Sequence, residues 1–154
     1  MKRLEDKVVI ITGATGGIGQ ATVKLFLEEG ANVLMVDLHE EDLIAVSEKI
    51  DSNKLSYLEG DVSNFLDNQK AVDLAVERYG GLDVFIANAG VSGDVLPITE
   101  YDEQVFDKVM AVNAKGPFLG LQAAIPSMNE RGGGSFVAIS SVAGVMGASL
   151  LAPY

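Results

Sequence analysis

Between the apolar run Val8-Val9-Ile10-Ile11 and a stretch with helical patterning lies Thr12-Gly13-Ala14-Thr15-Gly16-Gly17-Ile18-Gly19. A strand that passes through such a turn straight into a helix leaves few folds open. Glycine at 13 permits a sharp turn, and glycine at 17 removes the side chain that would keep a pyrophosphate away. Glycine at 19 lets the helix lie close on the sheet. The first N–H groups of that helix and the positive end of its dipole face one point, so the turn reads as a cradle for the phosphates of a dinucleotide. Gly13, Gly17 and Gly19, with Thr15 of the same turn, form the first set of candidate binding residues.

The rest of the chain continues the alternation that this turn begins. Strands are expected near 7–12, 32–37, 54–60, 82–87 and 134–140, with helices near 17–29, 40–50, 64–79 and 100–130. A series of βαβ units must be right-handed, which predicts one α/β domain over 1–154 with a doubly wound parallel sheet and helices on both faces. Binding then belongs at the carboxyl ends of the strands. The glycine turn, Asp37, Asp61-Val62, Asn88-Ala89-Gly90 and Ser140-Ser141 all fall at such ends.

Composition narrows the partners. The 154 residues are 48% hydrophobic and 21% charged, which suits a packed globular domain, and eleven basic against twenty-two acidic residues give a net charge of −11. That charge repels nucleic acid and anionic membrane alike. There is no cysteine, hence no disulfide framework or thiol chemistry, and a reducing cytoplasm is the expected location. The start of the chain turns acidic and enters a strand too short for a signal-peptide core, and no apolar run approaches the ~20 residues that span a bilayer.

Asp37 follows Val33-Leu34-Met35-Val36 at the offset where an acid receives ribose hydroxyls. A carboxylate there repels a 2′-phosphate, and neither Gly16 nor Leu38 supplies a cation to attract one, so NAD is expected over NADP. The other reading makes Asp37 the N-cap of the next helix. Pro117 cannot donate to the carbonyl of Asn113, which predicts a kink near Asn113 and a freed carbonyl able to hold a water, or else a plain packing kink. Thr99 is the expected N-cap of the same helix. His39, the one histidine, precedes Glu40-Glu41-Asp42 and reads as a solvated helix start rather than a metal ligand; no metal site is expected.

Ser141 and Tyr154 stand thirteen residues apart, joined by a run of small residues. A serine in such a place is ordinarily a cap. Above a dinucleotide turn, however, the pair resembles the serine and tyrosine of the short-chain dehydrogenase/reductase family. The cofactor motif TGxxxGxG is intact as Thr12, Gly13, Gly17 and Gly19. NNAG occurs as Ala87-Asn88-Ala89-Gly90, with alanine for the first asparagine. The TGxxGxxG of the extended branch is not matched. The resemblance implies a Rossmann-type fold and a catalytic group of Asn113, Ser141 and Tyr154. It also implies cofactor contacts from Asp61 and Val62 at the adenine, from Leu38 beside Asp37, from Ile18 near the nicotinamide, and from Asn88, Ala89 and Gly90.

The activity so implied is hydride transfer between NAD(H) and a secondary alcohol or ketone. Tyr154 would be the general acid/base, Ser141 would hold the substrate oxygen, and Asn113 would support a proton relay. A free phenol ionises near ~10, so the tyrosine needs a neighbouring cation, which the family supplies with a lysine four residues on. Tyr154 is the last residue given, so the expectation is a portion of a longer enzyme that is inactive by itself. A non-catalytic dinucleotide-binding or structural module is the alternative. Val105, Val109, Val112, Phe118 and Leu119 make an apolar stripe with a surplus beyond the core. The family resemblance implies a homotetramer or dimer through this helix. The loop 91–97 and the residues after Ser141 are expected to line a pocket for a partly hydrophobic small molecule.

Overall fold

The computed structural model describes residues 2–154. Five parallel strands, β1 (Val8–Thr12), β2 (Asn32–Asp37), β3 (Leu55–Glu59), β4 (Val84–Ala87) and β5 (Ser135–Ala138), form one sheet in the order β3-β2-β1-β4-β5. The helices α1 (Gly17–Glu28), α2 (Glu40–Ile50), α3 (Phe65–Tyr79), α4 (Glu103–Met110) and α5 (Gly116–Glu130) make the crossovers.

All five residues of β1 are buried, because helices cover both faces of the sheet. Val8 and Ile10 pack with Leu34, Phe85 and the α3 and α5 residues Ala71, Ala75, Ala123 and Met128. Val9 and Ile11 point the other way and pack with Val33, Met35, Val23 of α1 and Leu43 of α2. Strand β1 is followed on one side by β2 and β3, and the chain then crosses back to place β4 on its other side. The carboxyl ends of β1 and β4 thus flank the switch point, where open α/β sheets form their binding crevice.

At the opposite end of the sheet the carboxylate of Asp83 accepts from the Val8 N–H at 2.9 Å and from Arg131 Nε at 3.2 Å, and lies 3.3 Å from Lys7 Nζ. Burial by itself would raise the pKa of this aspartate. The donors from Val8, Arg131 and Lys7 outweigh that and hold it below the ordinary value.

The stretch expected as one helix over 100–130 is not one helix. Thr99 lies in a single 3₁₀ turn, Ile98–Glu100, and the N-cap of α4 is Asp102, whose side chain accepts from the Gln104 N–H at 2.8 Å. Beyond α4 the backbone opens into a π turn, Ala111–Lys115, in which the Gly116 N–H reaches the carbonyl of Ala111, before α5 begins with Pro117 in its first turn. Pro117, lacking its N–H, starts a new segment more easily than it continues an old one. Among the described residues no helix is long and apolar enough to cross a membrane.

Candidate active site

The carboxyl ends of β1 and β4 are stapled through two side chains. The Thr12 hydroxyl donates to the Ile86 carbonyl at 3.3 Å and accepts from the N–H groups of Asn88 and Ala89 at 3.1 and 3.2 Å. The Asn88 amide donates to the carbonyls of Thr12 and Gly13, each at 3.0 Å. This pins the first residue of the glycine turn to the strand beside it. Gly13 has φ +61°, and a Cβ there would stand 2.7 Å from the Ala89 Cα, so both conformation and space demand glycine.

Gly19 is equally constrained, since its Cβ would lie 2.2 Å from the Gly13 carbonyl oxygen. Gly17 differs. A Cβ there would meet nothing within 4 Å, which leaves open space before the first N–H groups of α1. That opening suits a phosphate carried to a helix N-terminus. At the end of β2, the Asp37 carboxylate accepts from the Thr15 N–H and hydroxyl at 2.9 and 2.7 Å and from the Leu38 N–H at 2.9 Å. The capping alternative for Asp37 is overturned, because α2 begins at Glu40 with His39 as its N-cap residue. His39 borders a hollow of about 560 Å³ with Glu40, Glu41, Asp42 and Glu59, and no cluster able to hold a metal occurs among the described residues.

Asp61 follows β3 and accepts from the Ser63 N–H and hydroxyl at 2.8 and 2.7 Å. Its own N–H donates to Asp67, whose carboxyl the Lys70 ammonium holds below the usual carboxylate range. The Val62 carbonyl accepts from Asn68 at 2.8 Å. The Gly60 N–H donates to the Asp37 carbonyl at 2.9 Å, which keeps Asp61 beside the end of β2, and the Val62 side chain lies against Gly116 at the start of α5.

The main cleft encloses about 790 Å³. Ile18 borders it from the glycine turn, Asn88, Ala89 and Gly90 from the end of β4, Asn113 from the π turn, and Ser141 and Tyr154 from the segment after β5. Asn113 receives the Val91 N–H on Oδ1 at 2.9 Å and donates from Nδ2 to the Val91 carbonyl at 2.8 Å. Its side chain therefore fixes the start of the loop that follows Gly90. Ser141 accepts from the Ala143 N–H at 3.2 Å, the cap expected of such a serine, and a hydroxyl that accepts there keeps its own proton to donate.

Met110, Ala114, Pro117 and Pro153 also line the cleft and were not legible as lining residues. Thr12 as the hub of the β1–β4 staple was equally missed. A hydroxyl ending a buried apolar strand was the available signal for Thr12, whereas nothing in the sequence marks Pro153.

A doubly wound parallel sheet with a glycine turn at its switch point, and beside it a largely apolar cleft that also carries Asn113, Ser141 and Tyr154, defines a Rossmann-type α/β protein. Residues 7–154 match the profile of the short chain dehydrogenase family, and the chain belongs to that family. It is 38% identical over 146 residues to zerumbone synthase of Zingiber zerumbet, covering 94% of this chain and 55% of that protein. It superposes on levodione reductase with a TM-score of 0.92 and 35% identity, covering 99% of this chain and 60% of that one. Its TM-score to NAD+-bound xylitol dehydrogenase is 0.93, with 31% identity and coverage of 99% and 60%. The chain thus spans about half the length of the curated relatives it matches.

Proposed function

We propose that the protein carrying this chain is an NAD-dependent oxidoreductase that interconverts a secondary alcohol and its ketone. The observation that carries the reading is convergence. Asn113, Ser141 and Tyr154 come from separate segments and line one cleft with Ile18 of the glycine turn. A reductase and a dehydrogenase among the related structures correspond to the two directions of one hydride transfer.

The nicotinamide cofactor, when bound, supplies the hydride acceptor or donor. The opening at Gly17 and the N–H groups of α1 would hold its phosphates, and Asp37 its adenosine ribose. The carboxylates Glu40, Glu41, Asp42 and Glu59 near Asp37 favour NAD over NADP by repelling a 2′-phosphate. Asp61, Val62 and Leu38 would border the adenine, and Asn88, Ala89 and Gly90 the inner ribose. Ser141 donates its hydroxyl proton to the substrate oxygen, Tyr154 takes or returns the proton of that oxygen, and Asn113 supports the relay that carries it outward. Exposed apolar residues of α4 and α5, Phe118 at 63% and Phe106 at 48%, suit a homo-oligomer contact.

The test is fluorescence titration of the full-length protein with NADH and NADPH, followed by turnover of a panel of secondary alcohols. NADH-selective binding is expected. Tyr154→Phe should keep NADH binding and lose on the order of 10²- to 10⁴-fold in turnover. A wild type that binds neither dinucleotide overturns the reading.

A further inference from the structure

Two chain segments frame the outer side of the cleft, the loop 91–97 after β4 and the segment 145–154 after β5. Val91 and Ser92 of the first and Pro153 and Tyr154 of the second line it. The inner end of the first loop is fixed by Asn113 through Val91. Its outer end is fixed differently. The Leu96 N–H donates to the Leu150 carbonyl at 3.0 Å, and the Tyr101 hydroxyl reaches both the Asp94 carbonyl and, at 3.2 Å, the same Leu150 carbonyl. One hydroxyl proton serves two carbonyls, so the contact is a shared bond that ties the segments together. Leu150 has φ +65°, a conformation that branched L residues rarely adopt, and Pro153 is buried near Gly93. From Leu150 the chain needs only four more residues to reach Tyr154, whose N–H donates to the Leu151 carbonyl at 3.1 Å.

We propose that Tyr101, which does not itself line the cleft, is a positioning residue. Its hydroxyl clasps the 91–97 loop to Leu150 and so sets the place of Tyr154 against the substrate. The inference rests on the reading of Tyr154 as the acid/base. A phenol is a donor at neutral pH, and partial burial, then the Asp94 carboxylate, raise the pKa of Tyr101 further. Without the hydroxyl the two segments keep the Leu96–Leu150 hydrogen bond and the packing of Pro153 near Gly93. The closed arrangement is then less populated, and apparent substrate affinity falls by the same fraction.

The experiment compares Tyr101→Phe with Tyr79→Phe in the full-length protein. Tyr79, the last residue of α3, donates to Ser56 of β3 at 2.8 Å and serves as a control for the loss of a tyrosine hydrogen bond as such. Amide hydrogen exchange is measured first, with no substrate present. Tyr101→Phe should speed exchange at Leu96 and in 148–154 while leaving β1 and β4 as in the wild type, and Tyr79→Phe should leave both segments unchanged. Steady-state kinetics with cyclohexanol and 1-phenylethanol follow. Tyr101→Phe should raise KM about three- to tenfold, the factor for one net hydrogen bond, with kcat and the NADH dissociation constant within twofold. Unchanged exchange in 94–97 and 148–154 overturns the clasp whatever the kinetics show. Faster exchange in a protein that turns over neither alcohol retains the clasp and overturns its link to catalysis and the functional reading together.

Discussion

Gly17 and Gly19 are two residues apart, yet the structure assigns them opposite failures when a methyl group is added. At Gly19 the new Cβ would stand 2.2 Å from the Gly13 oxygen and 2.7 Å from the Ala14 Cα, both backbone atoms of a turn that Asn88 already pins. Helix α1 must move outward by roughly an ångström, and overpacking of that kind costs about 1–3 kcal/mol or more. At Gly17 the Cβ meets nothing, and the residue is not in the left-handed region, so Gly17→Ala should leave stability unchanged or raise it by up to about 1 kcal/mol. The same Cβ would stand in the opening ahead of the α1 N–H groups. Losing one charge-assisted contact there costs about 1.5–3 kcal/mol, or roughly ten- to hundredfold in affinity. The assay is a thermal melt paired with NADH titration of each variant in the full-length protein. Gly19→Ala should lower Tm by several degrees, on the scale of about 2–4 °C per kcal/mol for a chain this size. Gly17→Ala should keep Tm and lose NADH. Wild-type NADH affinity in a well-folded Gly17→Ala variant would refute the assignment of this opening to phosphate.

Asp37→Asn removes the charge that repels a 2′-phosphate while keeping an acceptor for the Thr15 and Leu38 donors. The preference for NADH over NADPH should fall at least about tenfold with Tm lowered by no more than a few degrees, read from paired titrations. Asp83→Asn removes the charge that pairs with Arg131 and Lys7, whose side chains are 33% and 52% exposed, so solvent screening limits the cost to about 1–2 kcal/mol and a few degrees in Tm. The pH dependence has a definite sign. The folded-state pKa of Asp83 is depressed, so its stabilisation is present above the unfolded aspartate value near ~3.9 and is lost as pH falls through the lower folded value. Melts recorded from pH 6 downward should therefore show a shallower acid limb in Asp83→Asn than in the wild type.

Legibility followed the range of the interaction. The strands of the sheet could be placed within a few residues because buried parallel strands write themselves as continuous apolar runs, and the glycine turn could be placed because backbone geometry there has few solutions. Pro117 correctly marked a break in the long helix. The break took the form of a π turn whose side chain Asn113 holds Val91, a contact between residues twenty-two positions apart that no local pattern encodes. Thr99 was a reasonable cap by type, but Asp102 lies where the chain re-enters a helix after the 3₁₀ turn, and its carboxylate reaches the Gln104 N–H. The capping reading of Asp37 failed for a related reason, since its carboxylate is drawn back to Thr15. The tie between Leu96, Tyr101 and Leu150 joins two irregular segments, where neither periodicity nor turn chemistry carries information about the partner.

A net charge of −11 and a site for an anionic dinucleotide are compatible because the two act over different distances. Surface carboxylates on an acidic domain are screened beyond about 10 Å at moderate salt, so they slow the approach of an anion without deciding its affinity at contact. At contact the groups offered are the N–H donors at the start of α1, which carry no formal charge and need no counter-ion. They are held in place by glycines that admit close approach and by the Thr12 and Asn88 hydrogen bonds, rather than by basic side chains. The carboxylates can then be spent on selectivity. On the proposed reading, those around Asp37 would admit a ribose hydroxyl and repel a phosphate, while the ion-paired Asp83 ties the strands at the far end of the sheet. The neutral cradle and the Asp37 carboxylate thus share the carboxyl ends of the strands while the stabilising ion pairs sit at the opposite ends, and a substitution at one end can move affinity or stability without moving the other.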